Sequence, residues 1–314
     1  MASTWTSVCR RTVSGLTLLL LLVPSGLASE PELSFAVIGD WGKGTPEQQR
    51  EAQTFGRVAR DHGARFIIST GDNFYPRGVV SVTDSNWKTL FEDVYSAPSL
   101  MVPWHIVLGN HDHRGSTAAQ IEYSKTSARW RLPAPYYKHS EHIADGIDVD
   151  FFFLDTTPLY QASHWPWKLW PFESEQYAWL RLKLAASTAD WKIVVGHHPV
   201  FSGGGHGNTP ILIEKLKPLF EQYGVSAYFN GHDHALEHII VNGVNYFTVG
   251  AGAEGSLSRA IEGSHFQGDT AGFMTAKLHR SDLQVEFFDE NGASVYRAEI
   301  LKSRTTAGSF IPRP

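Results

Sequence analysis

The chain has 314 residues, 42% of them hydrophobic and 19% charged, with a formal net charge of -5. That length and apolar content suit one large globular domain or two small ones, each able to bury a core. The acidic balance argues against a dedicated nucleic-acid binder, which carries a basic field.

Arg10 and Arg11 precede an apolar run from Leu16 to Val23, and Pro24-Ser-Gly-Leu-Ala28 follows with small residues. This is the pattern of a secretory signal peptide over residues 1–28, cut after Ala28. The run is too short for a bilayer core of about 30 Å, so no membrane span is expected after cleavage. Cys9, the only cysteine, lies in that segment. The cut chain can form no disulfide and must rely on core packing and any bound metal. Residues 29–314 show no repeat, heptad or low-complexity linker and are expected to form a single domain.

From Leu33 onward, short β-rich apolar runs alternate with helical patterns. The runs are Leu33–Ile38, Phe66–Ser69, His105–Leu108, Phe151–Leu154, Ile193–Val195 and Ala227–Phe229. Helices are expected over Pro46–His62, Asn86–Tyr95, Ser174–Ala186 and Pro210–Tyr223, with Pro46 suited to a first turn and Gly63 and Gly224 to helix ends. After Leu236 the pattern changes to strands and turns: His238–Val241, Tyr246–Val249, Phe273–Leu278, Leu283–Phe288 and Val295–Leu301. Asn242-Gly243 is a strong hairpin signal, and Glu290-Asn291-Gly292 resembles another. The whole reads as an α/β layered domain with added antiparallel strands, in which ligands gather at the carboxyl ends of strands.

Five of these runs end in glycine turns that carry potential metal ligands: VIGDWG (Asp40), STGDNFY (Asp72, Asn73, Tyr75), VLGNHDH (Asn110, His111), VVGHHP (His197, His198) and NGHDH (His232, His234). Taken singly, each is an ordinary turn or a hydrogen-bonded histidine. Taken together, and with 15 histidines in the chain, they point to metal chemistry. Oxygen and imidazole donors without thiolate suit Fe, Mn or Zn. A carboxylate shared between two ions about 3.5–4 Å apart makes a site that binds phosphate, activates water as hydroxide and stabilises both the attacking and leaving oxygens.

The order GD…GDNFY…GNHD…GHHP…GHDH resembles the calcineurin-like metallophosphoesterases and, among them, the purple acid phosphatases. FEDVYSAPSL, VPWHIVLGNHDH, AQIEYSKTSARW and KPLFEQYGVSAYFNGHDH are similar to the small, tartrate-resistant animal class, and the likeness covers roughly Leu33 to Leu301. It implies a sandwich of two mixed β-sheets flanked by helices, with metals at the C-terminal ends of strands. It also implies a ferric ion held by Asp40, Asp72, Tyr75 and His234. A divalent Fe(II), Zn or Mn would be held by Asp72, Asn110, His197 and His232, with Asp72 bridging. A tyrosinate from Tyr75 to iron would give a purple colour, and a trivalent ion keeps a hydroxide available in acid. The same likeness places His111 and His206 on the substrate side. His206 would help the two ions hold the phosphoryl oxygens while metal-bound hydroxide attacks phosphorus in line, and His111 would protonate the departing alcohol, work that suits an imidazole. His198, Asp112, His113 and Asp233 read as groups that orient ligands, Asn73 as a turn residue and Arg77 as a solvated loop charge.

Two departures from the family pattern stand out. Animal relatives join two loops near the site by a disulfide, where this chain has Tyr160 and Ile211, a pair suited to apolar contact. The stretch YQASHWPWKLWPFESEQ lacks the polar character of a loop clipped to raise activity; it reads as hydrophobic packing over the site, with a lid that stacks on aromatic leaving groups as the alternative. The expected activity is hydrolysis of phosphomonoesters, small or on phosphoproteins, by a secreted or lysosomal/vacuolar monomer. Rival readings are a phosphodiesterase or nucleotide-cleaving enzyme, a redox-active iron protein, and a non-catalytic extracellular binding module on the same scaffold. The first motif, Asp40-Trp-Gly rather than Asp-x-His, argues against the phosphodiesterase, and the full set of ligand types argues against the binding module.

Overall fold

The structure, a computed structural model, describes residues 1–3, 32–143, 146–162 and 171–302, with the backbone alone at 162 and 171–174. The chain divides into Met1–Glu30 and Pro31–Pro314. Of the first unit only residues 1–3 are described, so the expected signal peptide, Cys9 and the cleavage point at Ala28 lie outside the described residues.

Fourteen strands are found among the described residues of the second unit. In chain order they are β1 (Leu33–Ile38), β2 (Ile67–Ser69), β3 (Trp104–Ile106), β4 (Trp130–Arg131), β5 (Tyr137–Ile143), β6 (Ile147–Phe153) and β7 (Trp191–Val195), then β8 (Ala227–Asn230), β9 (Leu236–Val241), β10 (Val244–Val249), β11 (Ser264–Gly268), β12 (Gly272–Leu278), β13 (Asp282–Asp289) and β14 (Ser294–Leu301). One sheet runs β14-β13-β12-β1-β2-β3-β4 and the other β11-β9-β10-β8-β7-β6-β5. In the first sheet β1-β2-β3-β4 are parallel out to the edge and β12, β13 and β14 add antiparallel strands on the other side; in the second a parallel centre, β10-β8-β7-β6, has antiparallel strands on both sides. Helices α1 (Pro46–Asp61), α2 (Thr117–Tyr123), α3 (Thr156–Ala162), α4 (Pro171–Ala186), α5 (Pro210–Lys215) and α6 (Lys217–Tyr223) flank them.

The sheets pack face to face. All six residues of β1 are buried, as an unbroken apolar run covered on both sides requires. Phe35 of β1 stacks on Phe66 at 5.1 Å, meets the edge of Phe151 in β6 at 5.5 Å, and lies 6.2 Å from Phe229 in β8. Each such ring contributes about 2–3 kcal/mol by leaving water. Phe55 of α1 lies edge-on to Phe273 of β12 at 4.9 Å. A second apolar cluster joins Phe152, Val194 and Tyr228 of the other sheet to Leu180, Leu184, Leu212 and Phe220 of α4, α5 and α6. α1 starts where expected: the Thr45 side chain accepts the Gln48 N–H, and Pro46 follows in the first turn.

The Asn242-Gly243 turn forms as read, with φ of 50° and 81° joining β9 to β10. The Asn291-Gly292 turn likewise joins β13 to β14. Two helical expectations need correction. Within Asn86–Tyr95 the chain forms a π-helix over Trp87–Glu92, marked by the Asp93 N–H donating to the Lys88 carbonyl five residues back. Pro210–Tyr223 is two helices divided at Leu216, because Pro218 has no N–H to continue the ladder. Three strands without a clear sequence signal, β4, β5 and β11, are all sheet edges. β5 reads Tyr-Lys-His-Ser-Glu-His-Ile, and a polar edge of this kind blocks unwanted pairing. Of the Trp/Pro-rich loop at 161–173, residues 161–162 extend α3 and 171–173 open α4, while 163–170 lie outside the described residues.

Candidate metal centre

Strands β1, β2 and β3 of one sheet and β7 and β8 of the other end at a common place, and each is followed by a residue of the predicted set. Asp40, Asp72 and His232 adopt positive φ values of 58°, 49° and 72°, a left-handed region costly for non-glycine residues and concentrated at functional sites. The preceding glycines are required by crowding. A Cβ at Gly109 would sit 2.2 Å from Asp72 Oδ1, and one at Gly231 would sit 2.2 Å from Asp40 Oδ2.

Two groups of donor atoms converge here. In the first, Tyr75 Oη lies 3.0 Å from Asp40 Oδ1, 3.0 Å from Asp72 Oδ2 and 3.2 Å from His234 Nε2. In the second, His197 Nε2 lies 3.1 Å from Asn110 Oδ1, 3.2 Å from His232 Nδ1 and 3.5 Å from Asp72 Oδ2. Asp72 Oδ2 belongs to both. One ligand atom from each of Asp40, Asp72 and His197 lies within 4.8 Å of the others.

The electrostatics match a cation site. Burial, with the nearby charge of Asp72, pushes the Asp40 carboxyl well above its usual range, partly opposed by the His232 N–H, the Tyr75 hydroxyl and Lys43. The same burial and the two carboxylates push the Tyr75 phenol far up, so without a cation it stays protonated. Burial and the neighbouring His197 drive His232 far down, and burial lowers His197 and His234 as well. Neutral imidazoles keep a lone pair for a metal. A cation is what would relieve crowded, buried carboxylates, and the donors include no thiolate. The residues present therefore fit metal ions of the Fe, Mn or Zn kind.

His111 stands beside this cluster. Its backbone N–H donates to Asp72 Oδ1 at 2.7 Å, its Nδ1 lies 2.9 Å from the Pro76 carbonyl, and its Nε2 is 4.0 Å from Asp72 Oδ2. Its ring lies 4.3 Å from that of Tyr75. His206 is exposed at the rim; its N–H donates to Asp233 Oδ1 at 2.8 Å and its ring stacks on His232 at 4.0 Å.

The residues read as orienting groups have partners of that kind. Asp112 is fully buried and accepts from the Gly109 and Asn73 N–H groups and from the amides of Asn73 and Gln120, bracing two ligand loops. Burial and Asp72 push its carboxyl up to about 7. Asn73 points into this brace, away from the donor cluster. His113 Nε2 meets Asp155 at 2.9 Å, and His198 Nδ1 meets Thr156 Oγ1 at 2.9 Å. Arg77 is exposed.

Three supporting residues went unread in the sequence. Thr156 Oγ1 accepts the N–H groups of both His197 and His198. Glu254 Oε1 takes His234 Nδ1 at 2.8 Å, and Lys43 pairs with Glu254 while lying 5.0 Å over the Tyr75 ring. Lys43 stands three residues after Asp40, a signal that was available; Glu254 lies 20 residues beyond His234 and carried none. The Tyr160 and Ile211 side chains, expected in apolar contact, line one cavity.

The calcineurin-like phosphoesterase family profile matches residues 33–236. Tartrate-resistant acid phosphatase type 5 of Oryctolagus cuniculus is 36% identical, over 90% of this chain and 95% of its own. Purple acid phosphatase 4 of Arabidopsis thaliana is also 36% identical, over 86% and 84%. Among solved structures, GAP50, the anchor in the inner membrane complex of Plasmodium, superposes with a TM-score of 0.82 at 29% identity, covering 88% of this chain and 91% of its own. Purple acid phosphatase PPD1 from yellow lupin seeds (TM-score 0.65, 19% identity, 86% and 54% coverage) shares the fold.

Proposed function

The chain belongs to the calcineurin-like phosphoesterases and, within them, to the purple acid phosphatases, and from that premise we propose that it hydrolyses phosphate monoesters at an Fe(III)–M(II) centre, M being Fe, Zn or Mn. The observation that carries this reading is the pair of donor groups sharing Asp72 Oδ2. Asp40, Asp72, Tyr75 and His234 offer three oxygens that can all be anionic, which suits a trivalent ion. Asp72, Asn110, His197 and His232 offer a neutral amide and imidazoles, which suit a divalent one. When bound, the ions supply Lewis acidity toward phosphate and water that side chains lack.

The protein's own part is positioning and proton handling. With Nδ1–H donated to the Pro76 carbonyl, the other nitrogen of His111 is turned to the cluster, placed to hold a proton for the departing alcohol. His206, anchored through its main chain by Asp233, hydrogen-bonds a phosphoryl oxygen from the rim. The Thr70 carbonyl at His197 Nδ1 and Glu254 at His234 Nδ1 hold these ligand histidines in one tautomer and orientation, while Thr156 fixes the main chain at His197 and His198. As a working setting, the chain acts as a monomer on small phosphomonoesters or phosphoproteins in a secreted or lysosomal/vacuolar compartment, with residues 29–314 as the catalytic domain. Among the described residues no helix is long and apolar enough to cross a membrane.

In metal-loaded protein, a chromogenic phosphomonoester should be turned over in mildly acidic buffer, and Asp72→Ala should abolish this. The visible band of the loaded protein should vanish in Tyr75→Phe. Loaded protein without phosphatase activity would overturn the reading, and a colourless two-zinc protein would remove the ferric part. The likeness to GAP50 supports a second reading, an anchor on the same scaffold. It is disfavoured because both donor groups, His111 and His206 are all present.

A further inference from the structure

A cavity of about 280 Å³ is lined by residues of β4 and β5, the edge strands of the two sheets, and by His105 of β3. None of the proposed metal ligands lines it, nor does His111 or His206. His105 is 7% exposed, and its Nδ1 is buried with no hydrogen-bond partner among the described residues. An unpaired buried polar atom is uncommon and points to a missing partner. The rest of the lining is rich in donors. His105 pairs in register with Arg131 of β4, so both side chains leave the same face of the sheet. Arg131 is exposed and has no ion-pair partner among the described residues. The His139 ring of β5 stacks on His105 at 4.1 Å. Ser124 Oγ accepts the Leu132 N–H at 2.8 Å and keeps its own hydrogen to donate. Burial, with His139 and Arg131 nearby, pushes His105 down to about 3, so it is a neutral ring with one N–H to give. No carboxylate lines the cavity. Asp150 and Glu141 bind Lys138 and His139, each at 2.8 Å, from outside the lining.

We propose that this cavity binds a small organic anion, its oxyanion head held by Arg131, His105 and Ser124 and its apolar body lying against Leu132 and Pro133. The site is separate from the metal centre and stands whether or not the phosphatase reading does. An oxyanion accepts at every oxygen, so it satisfies several donors at once, and the guanidinium fork matches it in shape and charge. An uncharged molecule of the same size gains the apolar wall but leaves the Arg131 charge unanswered. A cavity of roughly 150 Å³ encloses a benzene ring, so the volume here holds a ring together with its head group. It stands at the small end of ligand pockets.

The test is equilibrium dialysis of benzenesulfonate against the full metal-loaded chain at low ionic strength, with benzamide as the uncharged counterpart. Benzenesulfonate should bind the unmodified chain, and benzamide should bind about tenfold or more weakly. Arg131→Gln, a change at an exposed position, should weaken benzenesulfonate about tenfold or more by removing a charged donor. His105→Phe keeps a ring against Phe66 and Phe153 but has no N–H, and should weaken it as well. Melting curves show whether that second variant folds; if it does not, Arg131→Gln decides alone. Absence of benzenesulfonate binding to the unmodified chain overturns the proposal. So does binding unmoved by Arg131→Gln, which puts the anion elsewhere, and so does benzamide bound as tightly as benzenesulfonate.

Discussion

Glu51 of α1 is 1% exposed, and neither of its carboxylate oxygens has a hydrogen-bond partner among the described residues. Burial, reinforced by Glu290, pushes its carboxyl well above the ordinary 4.5. The folded chain therefore holds a proton that the unfolded chain releases above about pH 4.5, and stability falls as pH rises past that point. Glu51→Met, similar in length and free of the charge, should raise stability at pH 7 by about 1–3 kcal/mol, with a smaller gain at pH 4. Thermal melts at the two pH values check this, and a larger gain in acid would contradict it. Glu254 acts on the site rather than the core. By fixing His234 it should matter to metal retention, and Glu254→Gln should weaken retention or activity by about 10–100-fold, read as metal content after dialysis. At this scale the ligand residues were legible because each follows an apolar run and a glycine, whereas Thr156 and Glu254 look like any loop residues until the chain folds around them.

At the scale of elements, β9 carries a pH dependence of the opposite sign. His238 is 2% exposed, lies between Tyr296 Oη of β14 at 2.9 Å and Asn245 Oδ1 of β10 at 3.0 Å, and stacks on Phe247 at 4.2 Å. Tyr296 belongs to the other sheet, so this neutral imidazole links the two. Burial, with His265 nearby, pushes it down to about 4, partly opposed by Asn245. Between about pH 6.5 and 4 the unfolded chain takes up a proton that the folded chain refuses, so this contribution is lost as pH falls through that window, up to about 3 kcal/mol. Denaturant midpoints at pH 7 and 4.5 should lie closer together in His238→Gln than in the unmodified chain; an equal gap would remove this histidine from the acid response. Elements with a strong local signal, such as β1, α1 and the Asn242-Gly243 hairpin, were read correctly. The edges β4, β5 and β11 were not, since an edge strand gains its partner from afar and has no need of an apolar repeat. The π-turn at Trp87–Glu92 also escaped, because its three buried side chains fit a helical pattern equally well.

For the molecule as a whole, the two sheets bring candidate ligands from both halves of the sandwich to one point, so an ion held there would couple to sheet packing. Removing metal leaves two buried carboxylates facing each other across a protonated phenol. Chelation should lower the melting temperature, and restoring metal at about a thousandfold excess over Kd should return about 4 kcal/mol. Asp40→Asn, which removes one of the facing charges, should narrow the difference between the metal-free and loaded melts. No change on chelation would mean that the donors do not hold a structural ion.

The chain's local chemistry determined the layered α/β class, the order of the main strands and which residues could serve as ligands, since strand-ending glycines and hydrophobic period are properties of neighbours in sequence. Tertiary structure alone decided that Asp72 Oδ2 lies in both donor groups, that Pro76 receives His111, and that Tyr160 and Ile211 share a cavity with His206 and His232. Those relations join segments from tens to more than a hundred residues apart, and only the closing of two sheets on one another sets the ångström distances on which the chemistry depends.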